Sequence, residues 1–315
     1  MSGATVLIAG PTASGKSGLA LALAESLGGT VINADSMQVY DGLRILTARP
    51  DEGDEARAPH RLYGVLDPSE SCSAGRWVEM ARTEIASAHA AGRLAVVVGG
   101  TGLYFHALTE GLSDMPAIDP SVRARLIAEW EKVGARALHA RLATLDPALA
   151  ARLKPGDSQR ILRGLEVVEG TGRPLSAFQA EAPPPPPPIG VIARYAVAPP
   201  RELLLSRIRR RLEAMAGEGA VEEARAVAAL GLDPALPVAK AIGLRPFAAH
   251  AAGEIDLATA IDRAEIETRQ YAKRQMTWVR GRMADWPRLD GAQETERIIS
   301  EIEQKIRFPG LTTQS

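Results

Sequence analysis

Residues Thr5–Ala9 form an uninterrupted apolar run, too short for a typical helix and stopped by Gly10. A run of this length bounded by a turn signal is the pattern of a strand buried on both faces, as in a parallel sheet. The texture recurs at Thr30–Ala34, Leu94–Val98 and Val191–Ala198, with Arg61–Leu66 as a further candidate. Between these runs the period lengthens. Ser17–Leu27 is rich in alanine and leucine and ends at Gly28-Gly29, a helix stop, and residues 76–91 form an amphipathic helix closed by Gly92. Strands alternating with helices predict an α/β fold with a parallel sheet covered on both faces.

Past Gly111 the pattern changes. From Asp119 to Gly170 there are helical periods and no convincing strand. Asp119-Pro120 reads as a helix start, with an N-cap followed by proline at the first position, and Asp157 reads as another N-cap. Six prolines, Pro183–Pro188, then favour polyproline II and predict a stiff surface connector. Strand character returns at Val191 and four helical stretches follow. The expected organisation is a core of residues 1–112 and 191–303, a helical insertion at 113–190, and a flexible tail at 304–315.

Composition narrows the function classes. The 315 residues are 46% hydrophobic, enough for a sizeable core, and the net charge of −1 gives no global attraction to nucleic acid or membrane. No apolar run approaches the ~20 residues of a membrane span, and no charged-then-apolar leader opens the chain, so a cytoplasmic protein with no membrane contact is expected. The single cysteine, Cys72, allows no intrachain disulfide, and the five histidines show no metal-ligand spacing. A monomer is expected.

The specific chemistry lies in Gly10-Pro11-Thr12-Ala13-Ser14-Gly15-Lys16-Ser17, which matches G-x-x-x-x-G-K-[ST] at every fixed position, with a strand before it and a helix after. This is the phosphate loop of nucleotide-binding and ATP-binding proteins. Glycines turn backbone N–H groups inward, the helix N-terminus adds partial positive charge, Lys16 adds a full one, and the Ser17 hydroxyl suits Mg²⁺. The loop does not by itself name the reaction, because kinases, NTPases and diphosphate-releasing transferases all need a diphosphate held here.

The other strand ends are informative. An ordinary P-loop NTPase has an acidic metal ligand at the end of a further strand; here Leu94–Val98 ends in Gly99-Gly100-Thr101-Gly102. Strand 30–34 ends in Asp35-Ser36-Met37-Gln38. Ligands of parallel sheets collect at these carboxyl ends, which predicts that Lys16, Asp35 and Thr101 converge. Asp35 has three open readings from its position: a Mg²⁺ ligand, a general base toward a weakly nucleophilic amine, or a helix cap.

Four blocks in this order, Gly10–Ser17, Asp35-Ser-Met-Gln-Val-Tyr40, Val98-Gly-Gly-Thr-Gly-Leu-Tyr104 and Arg269-Gln-Tyr-Ala-Lys-Arg-Gln-Met-Thr-Trp278, resemble the tRNA dimethylallyltransferases, also called tRNA isopentenyltransferases. The resemblance runs from residue 5 to about 282. It implies transfer of a five-carbon group from dimethylallyl diphosphate to N6 of the adenosine on the 3′ side of the anticodon, with Mg²⁺ assisting and pyrophosphate leaving. It further implies that Gly10–Ser17 and Arg211 hold the diphosphate, that Asp35 is the base, and that Thr101 bonds near the reacting centre. For the tRNA anticodon stem-loop it implies contacts at Asp35, Ser36, Met37, Gln38 and Thr101, at Arg123, at Gln159, Arg160, Ile161, Leu162 and Arg163, and at Lys240 and Arg245, with Gln38 reading the edge of a flipped base. Leu244 departs from the family, which often has tyrosine there.

Local charge agrees with an RNA partner. Arg269–Arg282 holds five basic residues and no acidic ones. On a helix Arg269, Lys273, Met276 and Arg280 share one face, and Tyr271, Gln275, Trp278 and Arg282 share another, which reads either as a backbone-tracking surface or as a packed aromatic face beside a solvated basic one. Three rival classes remain: a small-molecule P-loop kinase, an isopentenyltransferase acting on free adenine nucleotides, and an RNA-binding module that only senses nucleotide. The arginines of the insertion, with the Thr101 turn, speak against the kinase; those arginines and the length of the insertion speak against free nucleotides as acceptor; and Asp35 facing a bound diphosphate speaks for turnover rather than sensing.

Overall fold

The structure is a computed structural model that describes residues 3–113, 115–181, 185–290 and 294–308. In chain order the elements are β1 (Thr5–Ala9), α1 (Lys16–Leu27), β2 (Gly29–Asn33), α2 (Glu52–Arg57), β3 (His60–Arg61), α3 (Ala74–Ala90), β4 (Leu94–Gly99), α4 (Gly102–Thr109), α5 (Pro120–Leu145), α6 (Pro147–Ala150), α7 (Ser158–Thr171), α8 (Leu175–Ala180), β5 (Val191–Val197), α9 (Arg201–Glu218), α10 (Ala220–Ala229), α11 (Leu244–Ala251), α12 (Leu257–Arg282), β6 (Arg288–Leu289) and α13 (Thr295–Arg307).

The six strands form one parallel sheet in the order β3-β2-β4-β1-β5-β6. Side chains alternate across it, as the two-residue strand period requires. Leu7, Ala95 and Val97 enter a core with Trp77 and Ile85 of α3 and the inner faces of α9 to α12. Val6, Ile8, Val96 and Val98 enter a second core with Leu19 and Leu23 of α1 and Ile298 and Ile302 of α13. The expected P-loop NTPase-like parallel sheet with helices on both faces is the fold observed.

Register decides where the chemistry sits. Ala9 pairs with Gly99, and Asn33 with Val98. Because all three strands are parallel, the loops after β1, β2 and β4 leave the same edge side by side. Those loops are Gly10–Ser17, Asp35–Gln38 and Gly100–Thr101.

By compactness the chain divides into Met1–Thr109 with Pro187–Ser315, and Glu110–Pro186. The second unit has its own core, built on Leu126, Leu138, Leu142, Ile161, Leu165 and Phe178. Asp119 caps α5 by accepting the Ser121 N–H, and Gly134, at φ 77°, kinks that helix. Asp157 occupies the N-cap position of α7 without capping it; its carboxylate pairs with Arg160 at 3.2 Å instead.

Several details depart from the expectations. The third strand shrinks to His60–Arg61, and Leu66 keeps only a bridge to Tyr40. Among the described residues five α-helices follow Val197 rather than four. Residues 304–307 are not tail: they close the apolar stripe of α13, whose Ile302 is fully buried. The remainder of the expected tail beyond Phe308, and Pro183 and Pro184 of the proline run, lie outside the described residues. Pro185–Pro188 are neither helix nor strand, and Arg82 donates to the Pro187 carbonyl at 2.8 Å. Leu244 is buried in the main core. No helix among the described residues is long and apolar enough to cross a membrane.

Candidate active site

The phosphate loop turns on two left-handed residues, Ala13 (φ 61°) and Gly15 (φ 95°), a backbone form that curls successive amides into an anion-binding nest. A Cβ on Gly10 would lie 2.5 Å from the Val197 carbonyl oxygen, so only glycine lets the loop leave β1 this close to β5. Arg207 of α9 donates to the Ser14 carbonyl at 3.0 Å, and Lys16 Nζ donates to the Pro11 carbonyl at 3.2 Å. Burial pushes the Lys16 ammonium down to about 8; Asp35 pulls it back up and the Arg211 charge presses it further down.

Asp35 sits on a turn fixed from behind. The fully buried Asn33 accepts the Asp35 N–H at 2.8 Å and donates to the Asp35 and Leu62 carbonyls at 3.0 Å. Trp77 donates to the Asn33 carbonyl at 2.9 Å and stacks on Tyr104 with centroids 4.3 Å apart. Asp35 Oδ1 accepts the Met37 N–H at 2.9 Å, closing a local turn. Its other oxygen lies 3.3 Å from where a Cβ on Gly100 would stand, so it faces the β4 loop. No helix follows Asp35, so it is not a helix cap; the turn bond uses one carboxylate oxygen and leaves the second available.

Thr101 is tied to the same turn. Its Oγ1 accepts the Ser36 N–H at 2.9 Å, and its own N–H donates to the Ala34 carbonyl at 3.2 Å. Lys16, Asp35 and Thr101 thus belong to one constellation at one sheet edge. Helix α12 lies against it. Tyr271 lines the cleft with Asp35; burial and the Asp35 charge push its phenol up, against a smaller lowering by the nearby Thr101 and Ser36 hydroxyls. One turn on, Gln275 bridges two of the loops, and Trp278 fills the space that a Cβ on Gly102 would need.

A cleft opens in front of these groups. Its polar wall is Thr12, Asp35, Arg211 and Tyr271, and its apolar wall is Met37, Leu46, Ile208, Leu212, Met215 and Ile242. Through Ala13, Ala48, Arg211 and Met215 it adjoins a pocket beside Gly15 that gathers Arg44, Arg49, Arg207 and Arg210. Through Ile242 it adjoins another, lined by Lys240, Arg245, Gln270 and Arg274. Arg211 faces the open cleft, yet the protein atoms crowded around it lower its guanidinium.

The segment 44–48 walls this cleft and is held at both ends. Glu223 accepts the Ile45 and Leu46 N–H groups at 2.7 and 2.8 Å, and Gln38 donates from one nitrogen to the Thr47 and Ala48 carbonyls at 2.8 and 3.0 Å. The Gln38 amide nitrogen is thereby engaged within the chain.

In the helical unit Arg123 and Arg163 share Glu166, at 3.1 and 3.2 Å, and both remain substantially exposed, as do Gln159 and Arg160. Ile161 and Leu162, expected as tRNA contacts, are buried in that unit's core at 0% and 9% exposure, where their side chains pack α7. Sequence reasoning missed Arg44, Arg49, Glu223 and the placement of Gln275. The basic pair has no periodic signal in a loop, whereas Tyr271, Gln275 and Trp278 were visible as one helix face whose partner only the fold supplies.

A phosphate loop opening a parallel sheet, with a carboxylate and a hydroxyl on the neighbouring strand ends, defines a P-loop α/β protein built to hold a diphosphate beside a second reactant. A family model described as IPP transferase matches residues 38–282. The tRNA dimethylallyltransferase of Parvibaculum lavamentivorans is 56% identical over 98% of both chains, and that of Phenylobacterium zucineum is 51% identical over 97% of this chain and 98% of its own. Among solved structures, the tRNA isopentenylpyrophosphate transferase of Bacillus halodurans superposes with a TM-score of 0.68 at 33% identity, covering 97% of each chain. A eukaryotic dimethylallyltransferase acting on tRNA gives 0.80 at 26% identity, over 97% of this chain and 80% of its own. The chain belongs to the IPP transferase family.

Proposed function

We propose that this protein transfers the dimethylallyl group of dimethylallyl diphosphate to N6 of the adenosine 3′-adjacent to the anticodon of tRNA and releases pyrophosphate. The observation that carries this reading is that the phosphate loop and Asp35 line one cleft with a basic end and an apolar wall, with Thr101 bonded to the turn that carries Asp35.

The diphosphate lies on the Ala13–Ser17 amides, Lys16 and Arg211, with Arg44, Arg49 and Arg207 at the mouth. The five-carbon chain lies along Leu46, Ile208 and Met215. The C–O bond to the diphosphate breaks, the N6–carbon bond forms, and the proton released from N6 passes to the Asp35 oxygen not engaged by Met37. Thr101 orients the reacting centre, and the fixed positive groups offset charge that grows on the departing oxygen. The flipped adenosine approaches from the side of Lys240, Arg245 and Arg274, and the exposed Arg123, Gln159, Arg160 and Arg163 of the helical unit meet the RNA backbone.

The donor set fits magnesium in one way. Among the described residues no three His, Cys, Asp or Glu side chains gather into a metal cage. The exposed Ser17 hydroxyl, at the loop's end, suits an ion carried mainly by phosphate oxygens. When bound, magnesium supplies charge neutralisation at the leaving pyrophosphate.

The deciding experiment incubates purified protein and Mg²⁺ with dimethylallyl diphosphate or ATP, and with tRNA, AMP or no acceptor. Pyrophosphate release and N6-dimethylallyladenosine in digested RNA are expected only with the allylic donor and tRNA. ATP hydrolysis without RNA would overturn the reading in favour of a kinase or NTPase.

The Lys16 environment predicts a pH dependence. Only the protonated amine pairs with diphosphate, and in the free protein it loses its proton near pH 8 rather than near 10.5. As pH rises through 8, binding must take up a proton, so kcat/KM for the donor falls, by at most about tenfold per pH unit. A Lys16→Met variant is expected to start low and lack this slope. A wild-type profile flat to about pH 9.5 would remove Lys16 from the grip.

A further inference from the structure

We propose that Gln275 is a positioning residue whose side-chain amide sets the spacing between the phosphate loop and the Asp35–Thr101 turn. The amide is buried, at 6% exposure, in the middle of α12. Its Oε1 accepts the Thr12 N–H at 2.9 Å, and its Nε2 donates to the Gly100 carbonyl at 3.0 Å. Thr12 belongs to the loop after β1 and Gly100 to the loop after β4. These strands are neighbours whose last paired residues are Ala9 and Gly99. Strand pairing ends there, so past that point the two loops need another tie.

The fit is specific to glutamine. A Cβ on Gly100 would lie 2.0 Å from Gln275 Nε2, so glycine at 100 is what admits the amide. The same virtual Cβ lies 3.3 Å from Asp35 Oδ2, which puts the bridge beside the base. Asparagine is one methylene short of spanning both loops. Glutamate keeps an acceptor for Thr12 but sets a carboxylate against the Gly100 carbonyl, next to Asp35. Methionine keeps the volume and removes both bonds. Displacements of about 1 Å in such an arrangement cost on the order of 100-fold in rate.

The test rests partly on the transferase reading and is built to separate the two. In Gln275→Met, kcat for dimethylallyl transfer is expected to fall about 100-fold, with KM for tRNA and donor within about threefold of wild type, and amide exchange at Thr12 to accelerate. In Gln275→Glu, Thr12 protection is expected to persist while kcat still falls, because the Gly100 bond is lost; this variant carries the test if the methionine variant does not fold. Wild-type kcat in a folded variant, unchanged Thr12 exchange in Gln275→Met, or a loss appearing equally in both KM values would each overturn the proposal. Wild-type protein that transfers no dimethylallyl group would instead sink the functional reading, and Thr12 exchange, which needs no turnover, would still judge the bridge.

Discussion

Replacing Asp35 with asparagine is expected to lower the single-turnover rate of dimethylallyl transfer by about 10²–10⁴-fold, the range of a lost general base, while tRNA affinity stays within about threefold. The substitution is informative because Asp35 has two roles on its two oxygens. Oδ1 accepts the Met37 N–H and holds the turn. Asparagine retains that acceptor, so the turn survives and only proton acceptance is removed. Alanine would remove both, and its extra loss relative to asparagine measures the turn. A second readout follows from electrostatics. Asp35 raises the Lys16 pKa, so its neutralisation should shift the fall in donor kcat/KM to a pH below about 8. A rate within tenfold of wild type, or a parallel loss of rate and tRNA binding, would make Asp35 a binding residue.

The elements around that site differed in how far the amino-acid pattern exposed them. The runs at Thr5–Ala9 and Leu94–Val98 are buried on both faces, so nearly every residue is apolar and the strands announce themselves. The phosphate loop did so through its spacing. Strand β3 has two residues and β6 has two, too few for any period, and each owes its existence to a neighbouring strand. Helix α2 has no buried residue and hence no apolar stripe. Asp157 has the composition of a cap, but Arg160 one turn away competes for its carboxylate and wins in the structure. On α12 the helical period grouped Tyr271, Gln275, Trp278 and Arg282; the first three meet the site loops or line the cleft, and Arg282 is exposed. The period carries no information on what that face touches, because the partners, Thr12 and Gly100–Gly102, lie far away in the chain. The catalytic loops are legible as motifs; the contacts that hold them together depend on long-range register and are not.

The sharpest test of that dependence is Gly99→Ala. Gly99 closes β4, and a Cβ there would stand 2.1 Å from the carbonyl carbon and oxygen of Ala34, the residue before Asp35. Both atoms are backbone, so no side chain can swing aside; β2 and β4 must separate where Ala34 N–H donates to the Val98 carbonyl at 2.7 Å. The expected cost in stability is that of forced overpacking, about 1–3 kcal/mol or more, read as a lower denaturation midpoint. Activity should fall further than this, because the same separation moves Asp35 away from Thr101, whose N–H donates to the Ala34 carbonyl. Gly18→Ala provides the contrast. Gly18 lies within α1 with nothing inside 4 Å of its added Cβ. There alanine should raise stability by about 0.5–1 kcal/mol, since it restricts the unfolded chain and suits a helix. If Gly99→Ala instead unfolds at the wild-type midpoint and retains its rate, the strand ends are not in the close register on which the placement of Asp35 beside Thr101 depends.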